Sequence, residues 1–202
     1  MKDFGFYLVI TNPVVGYARC VEAAVRAGVR IVQLRMKHAA REDILREARE
    51  MRRVTRGTDT LFIVNDDPAL AAEAEADGVH VGQDDMSPAE VRAKFPQLKV
   101  VGLSTHNLDQ VRASWDQPID YIGVGPVYAT PTKDIPDPTL GPEMAGRMIA
   151  AARVPAVAIG GINAETLPPV LAAGARNFAV VRAVCQSQDP YSAICKLLEI
   201  HA

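Results

Sequence analysis

Cysteine is scarce: Cys20, Cys185 and Cys195 are the only three in 202 residues, an odd number with no CxxC pair. That excludes a disulfide framework and the spacing of a structural zinc site, and it implies reduced thiols in an apolar core. Aromatics make up only 5%, so the core has to be built from Ala, Val, Ile and Leu. Neither sign of charge dominates, with 24 acidic against 22 basic residues and a net charge of −2. A broad grip on nucleic acid or on an anionic membrane needs a clustered cationic excess and is not expected. No apolar run approaches the roughly 18 residues that span a bilayer. The opening MKDFGFYLVI carries Asp3 and runs into a strand-like segment with no small-residue cleavage site. No secretory signal is read there, and a cytoplasmic location is expected.

Hydrophobic residues amount to 49%, enough for one core, and the whole of 1–202 reads as one domain. Short runs rich in Val and Ile recur, each followed by an Ala-rich helical stretch. The expected strands are 6–11, 30–35, 61–65, 78–82, 99–104, 121–125, 155–160 and 177–181. Helical patterns include 41–54 and 164–175, the latter on condition that Pro168-Pro169 sits in its first turn. Gly28, Gly78 and Gly174 read as helix ends before the next strand. Continuous apolar runs suit strands buried on both faces, and strand-helix alternation implies a parallel sheet. Eight units of roughly 25 residues predict an α/β fold, a single closed (β/α)8 TIM barrel. An open doubly wound sheet is the alternative, but the first unit lacks its GxGxxG turn. The proline-rich stretch 129–143 reads as a mobile loop that closes over the mouth on ligand binding.

In such a barrel the active site lies at the C-terminal strand ends, and unusual polar residues collect there. The second strand ends in Gln33-Leu34-Arg35-Met36-Lys37, where alternation sets Gln33, Arg35 and Lys37 on one side. The third ends in Asn65-Asp66-Asp67, with Asp67 explained as a helix cap. The fourth ends in Gln83-Asp84-Asp85, and Ser87-Pro88 starts the next helix without needing either carboxylate. Carboxylates beside Arg and Lys make sense around a divalent cation that bridges to a phosphorylated ligand, and Mg²⁺ favours such a site. After the fifth strand come Ser104, a donor for an anion, His106, weighed between base and structural group, and Asn107. His80, inside the fourth strand, reads as a hydrogen-bonded barrel residue. Thr130, Thr132 and Lys133 follow the sixth strand with two hydroxyls and an ammonium. The seventh ends in Gly160-Gly161 and the eighth in Val181-Arg182, where barrels commonly hold a phosphate on backbone N–H groups. Two anion sites, one metal-assisted and one metal-free, suggest the joining of two phosphorylated small molecules.

The ordered set QLRMK, VNDD, GVHVGQDD, GLSTHN, GVGPVYATPTK and IGGIN resembles thiamine-phosphate synthase, and the resemblance spans about 6–199. It implies a transferase that joins hydroxymethylpyrimidine diphosphate to hydroxyethylthiazole phosphate and releases diphosphate. On that resemblance Gln33, Leu34, Arg35, Met36, Lys37, Asn65, Ser104 and Lys133 bind the pyrimidine diphosphate. Asp66 and Asp85 hold Mg²⁺, while Thr130, Pro131, Thr132, Gly161, Val181 and Arg182 contact the thiazole phosphate. Arg35, Lys37 and Lys133 stabilise the leaving group. Arg182 stands where the family commonly has Ser, and Pro131 makes the Thr-rich loop less polar. Two rivals are the related thiazole tautomerase and a non-catalytic phosphate-ligand binder. The first uses a histidine near the sixth strand's end, where this chain has Pro126-Val127; the second has no use for the paired carboxylates. The expected partners are small phosphorylated molecules, with no nucleic acid or membrane, and homo-oligomer formation stays open.

Overall fold

The computed structural model describes residues 2–131 and 138–201. Among these, strands alternate with helices in the order β1 (Phe6–Ile10), α1 (Tyr17–Arg26), β2 (Ile31–Leu34), α2 (Arg41–Thr55), β3 (Leu61–Asn65), α3 (Pro68–Glu73), β4 (Gly78–Val81) and α4 (Pro88–Lys94). The second half continues with β5 (Val100–Thr105), α5 (Leu108–Ala113), β6 (Tyr121–Val124), α6 (Gly141–Ala151), β7 (Ala156–Ala158), α7 (Leu167–Ala172), β8 (Asn177–Val180), α8 (Arg182–Cys185) and α9 (Pro190–His201). Each strand pairs in parallel with the next, and β8 returns to β1 through Tyr7↔Ala179, so the sheet is a closed (β/α)8 barrel.

Side-chain alternation explains the two-layer core. Leu8, Ile10, Val32, Leu34, Phe62 and Val64 point outward and pack under the helices. Tyr7, Val9, Ile31, Ile63, Val100, Tyr121, Val157 and Ala179 point inward and fill the barrel. The helices begin where local chemistry dictates. Asp67 accepts from the Leu70 N–H at 2.8 Å, Ser87 and Glu90 form a reciprocal capping box, and Asn107 accepts from the Gln110 N–H at 2.9 Å. These caps anchor the loops after β3, β4 and β5, and so aim the residues at the mouth.

Pro168 and Pro169 do sit in the first turn of α7, where a missing N–H costs nothing. Three expectations need correction. Gly28 and Gly174 follow helix ends with φ of 76° and 101°, but Gly78 opens β4, as the expected strand 78–82 has it, and ends no helix: α3 stops at Glu73. A Cβ on Gly78 would come 2.1 Å from the Val100 carbonyl oxygen, so close strand packing demands the glycine, and Glu75 takes the left-handed turn instead at φ 54°. Residues 141–143 are not loop: they open α6. The eighth strand is followed by two helices, and the short α8 brings Arg182 to the mouth. Cys20 and Cys185 are buried free thiols. Among the described residues no helix is long and apolar enough to cross a membrane.

Candidate active site

A cavity of about 1020 Å³ opens at the C-terminal ends of the strands. Gln33, Arg35, Lys37, Asn65, Asp66, Asp85 and Ser104 line one side of it, and Thr130, Pro131, Gly161, Val181 and Arg182 line the other. The residues picked out at separate strand ends therefore share one space. Leu34 and Met36 turn their side chains away from it, into the outer core, because the alternation that brings Gln33 inward in β2 sends Leu34 outward and runs on past the strand end, where the Arg35 N–H still donates to the Ile10 carbonyl at 3.0 Å. Thr132, Lys133 and the central part of the expected closing loop lie outside the described residues.

Asp66 sits just past β3 with φ 64°, a left-handed conformation that costs a non-glycine residue energy. Its N–H donates to the His80 carbonyl at 2.8 Å, which ties the tip of β3 to β4. Its carboxylate pairs with the Lys37 ammonium. Asp85 accepts from the Gly82 N–H at 2.7 Å, and its carboxyl touches that of Asp66. Burial pushes the Asp85 carboxyl above its ordinary value, and the Asp66 charge pushes the same way; the Gly82 N–H and Lys37 pull it back. Two carboxylates in contact beside one ammonium form an acidic pocket that a cation would relieve.

The opposite wall is built from backbone. Gly160 and Gly161 have φ of 106° and 65°. A Cβ on Gly160 would fall 2.6 Å from Pro126 Cα, and one on Gly161 would fall 2.7 Å from Tyr128 Cβ. Only glycine allows this close double turn, and it leaves main-chain atoms facing the cavity. Arg182, at the start of α8, lies in the same wall, and among the described residues it forms no ion pair.

His106 donates from Nδ1 to the Gly125 carbonyl at 2.7 Å, since a carbonyl can only accept. His80 is hydrogen-bonded inside the barrel through both ring nitrogens, as read from the sequence. Sequence reasoning missed Tyr7 and Tyr121, which form the cavity floor. The signal was available: an inward tyrosine in a small barrel needs a hydroxyl partner.

A family model described as thiamine monophosphate synthase matches residues 6–184. A thiamine-phosphate synthase of Synechococcus sp. (strain WH7803) is 45% identical over 180 residues, which is 89% of this chain and 51% of that protein. Another, of Caldicellulosiruptor saccharolyticus, is 38% identical over 180 residues, covering 89% of this chain and 81% of that protein. The solved thiamine phosphate pyrophosphorylase from Pyrococcus furiosus superposes with a TM-score of 0.88 at 28% identity, over 98% of this chain and 96% of that one. A 3-hexulose-6-phosphate synthase at 20% identity and TM-score 0.71 shares the fold alone. The chain spans about half the length of several curated relatives it matches, 51% for Synechococcus and 57% for Synechocystis. Strand-end motifs, barrel and matched segment agree, and the chain belongs to the thiamine monophosphate synthase family.

Proposed function

We propose that this chain joins hydroxymethylpyrimidine diphosphate to hydroxyethylthiazole phosphate, forming thiamine phosphate and diphosphate. The observation that carries the reading is the pairing of two unlike walls across one cavity: an Asp66–Asp85–Lys37 cluster and a glycine-built turn beside Arg182. One wall suits a diphosphate neutralised by a cation, and the other a single phosphate.

The carboxylate pair fits Mg²⁺. Among the described residues no three His, Cys, Asp or Glu side chains group to hold a metal, so Asp66 and Asp85 would form an open site completed by water and phosphate oxygens. Bound there, Mg²⁺ would neutralise charge on the leaving diphosphate. Arg35 and Lys37 would hold the remaining phosphate charge, with Lys133 added by family resemblance. Gln33, Asn65 and Ser104 would orient the pyrimidine, and Thr130, Pro131, Thr132, Gly161, Val181 and Arg182 the thiazole phosphate. The bond from the pyrimidine methylene to the diphosphate oxygen breaks, and the electron-rich aminopyrimidine stabilises the resulting cation. The thiazole nitrogen then supplies its lone pair to form the new C–N bond, so positioning replaces general-base catalysis. His106 therefore needs no proton-transfer role. Work in the cytoplasm follows from this biosynthetic reading, and the partners are small phosphorylated molecules.

The assay mixes both substrates with Mg²⁺ and follows products by mass spectrometry. Thiamine phosphate and diphosphate appearing in equal amounts is the expected result. An isomerised thiazole phosphate without coupling would assign a tautomerase, and binding without any product would assign a carrier.

A further inference from the structure

Four hydrogen bonds join five side chains from five strands across the barrel, beneath the cavity. Gln33 Nε2 donates to the Tyr7 hydroxyl at 2.8 Å. The Tyr7 and Tyr121 hydroxyls lie 2.9 Å apart. The Tyr121 hydroxyl is 2.9 Å from His80 Nδ1, and His80 Nε2 is 2.9 Å from Ser104 Oγ. The row is built in. A Cβ on Gly102 would come 2.2 Å from Tyr121 Cζ and 2.6 Å from His80 Nδ1, so that glycine makes the slot in which the two rings stack at 5.4 Å. Tyr7 and Tyr121 are fully buried, and burial holds both phenols protonated, well above their ordinary value.

Counting hydrogens sets a direction. The Gln33 amide nitrogen only donates, so the Tyr7 oxygen accepts there and its single hydrogen is left for Tyr121. Tyr121 accepts in turn, and its hydrogen goes to His80 Nδ1. That nitrogen is then bare, and the imidazole carries its proton on Nε2 and donates to Ser104. Ser104 accepts from below, so its own hydrogen is turned toward the cavity it lines.

We infer that Tyr7, Tyr121 and His80 are positioning residues: their hydrogen-bond row locks the Ser104 hydroxyl as a donor, so this end of the cavity selects a ligand presenting an acceptor, such as a ring nitrogen or phosphoryl oxygen. Naming that ligand as the pyrimidine diphosphate rests on the function proposed above. The proton order itself belongs to the unliganded protein. Networks of this kind act as a unit, so the effects of cutting them at two points do not add.

The test has two arms. The first is nitrogen NMR of ¹⁵N-histidine protein without ligand, above the ordinary imidazole pKa, with the His80 signals assigned by their loss in His80→Asn. The row predicts a protonated Nε2 and a bare Nδ1 on His80. It also predicts that Tyr121→Phe relaxes His80 to a tautomer mixture while His106 keeps its proton on Nδ1. A proton on His80 Nδ1 in the unsubstituted protein would overturn the inference. The second arm measures binding of hydroxymethylpyrimidine diphosphate with Mg²⁺ in Tyr121→Phe, Ser104→Ala and the double variant. Tyr121→Phe should weaken binding about three- to tenfold and add nothing once Ser104 is alanine. Two independent, multiplying losses would overturn it. Tyr7→Phe cuts the row one bond earlier and replaces Tyr121→Phe if that variant fails to fold. A protein with the expected tautomer that binds no pyrimidine diphosphate would refute the proposed substrate and support the hydrogen-bond row.

Discussion

The two walls of the cavity are made of different material. On the β2–β5 side, side chains carry the chemistry: Arg35 and Lys37 after β2, with Asp66 and Asp85 on strand-end loops fixed by the caps of α3 and α4. On the β6–β8 side, backbone does, through Gly160 and Gly161, where neighbouring atoms leave no room for a Cβ, with Arg182 as the one formal charge among the described residues that line it. A wall of side chains can be retuned by changing charge. A wall of backbone fails sterically first, because even one methyl group has nowhere to go. The difference matches the proposed division of labour, a charge-matched diphosphate on one side and a shape-matched phosphate on the other.

The largest expected effect breaks the side-chain wall. Asp66→Ala and Asp85→Ala should each remove several kcal/mol of leaving-group stabilisation and lower kcat more than about a hundredfold, in steady-state assays with Mg²⁺. Circular dichroism should remain that of the folded barrel. Rates near those of the unsubstituted enzyme in both variants would mean the carboxylates do not act together on the leaving group.

Next comes the backbone wall. Gly161→Ala combines left-handed strain with a methyl group 2.7 Å from Tyr128 Cβ, and should cost about 2 kcal/mol or more of stability in urea unfolding. Affinity for the thiazole phosphate should drop while that for the pyrimidine diphosphate holds. A stable variant with intact thiazole-phosphate binding would remove the steric argument.

Arg182→Ser removes the one formal charge that the described residues give the same wall, and leaves its backbone intact. Losing a charge-assisted phosphate contact of roughly 1.5–3 kcal/mol should raise KM for the thiazole phosphate about tenfold, with little change for the pyrimidine diphosphate. Tighter binding in the serine variant would make Arg182 an obstruction.

The smallest effect concerns the protein without metal. Burial and Asp66 raise the Asp85 carboxyl in the fold, so the folded state binds that proton more tightly than the unfolded chain does. The resulting destabilisation is absent at acid pH and develops as pH rises past the ordinary carboxylate value. Asp85→Asn should therefore raise Tm at neutral pH without Mg²⁺, and the gain should vanish as pH falls toward that value. A gain that persists in acid would point to packing rather than charge.

The same contrast decides what the sequence could reveal. All eight strands were legible because strands buried on both faces leave uninterrupted Val- and Ile-rich runs, and the charged strand-end residues stood out against them. Gly78 was placed correctly at the start of a strand but wrongly given a helix-ending role, because a glycine there looks the same whether it ends a helix or admits a neighbouring carbonyl; only the approach of Val100 tells them apart. Tyr7 and Tyr121 were missed because an aromatic inside an apolar run reads as core, and their hydroxyl partners come from strands distant in sequence. Leu34 and Met36 were grouped with the site as members of one motif, although alternation already sends their side chains outward.

The division between the walls is tested most directly by calorimetric titration of each substrate separately, with and without Mg²⁺, in the unsubstituted protein and in Asp66→Ala. Pyrimidine diphosphate binding should require Mg²⁺ and be lost in Asp66→Ala, while thiazole phosphate should bind equally well in all four conditions. Equal dependence of both substrates on the metal and on Asp66 would contradict that division.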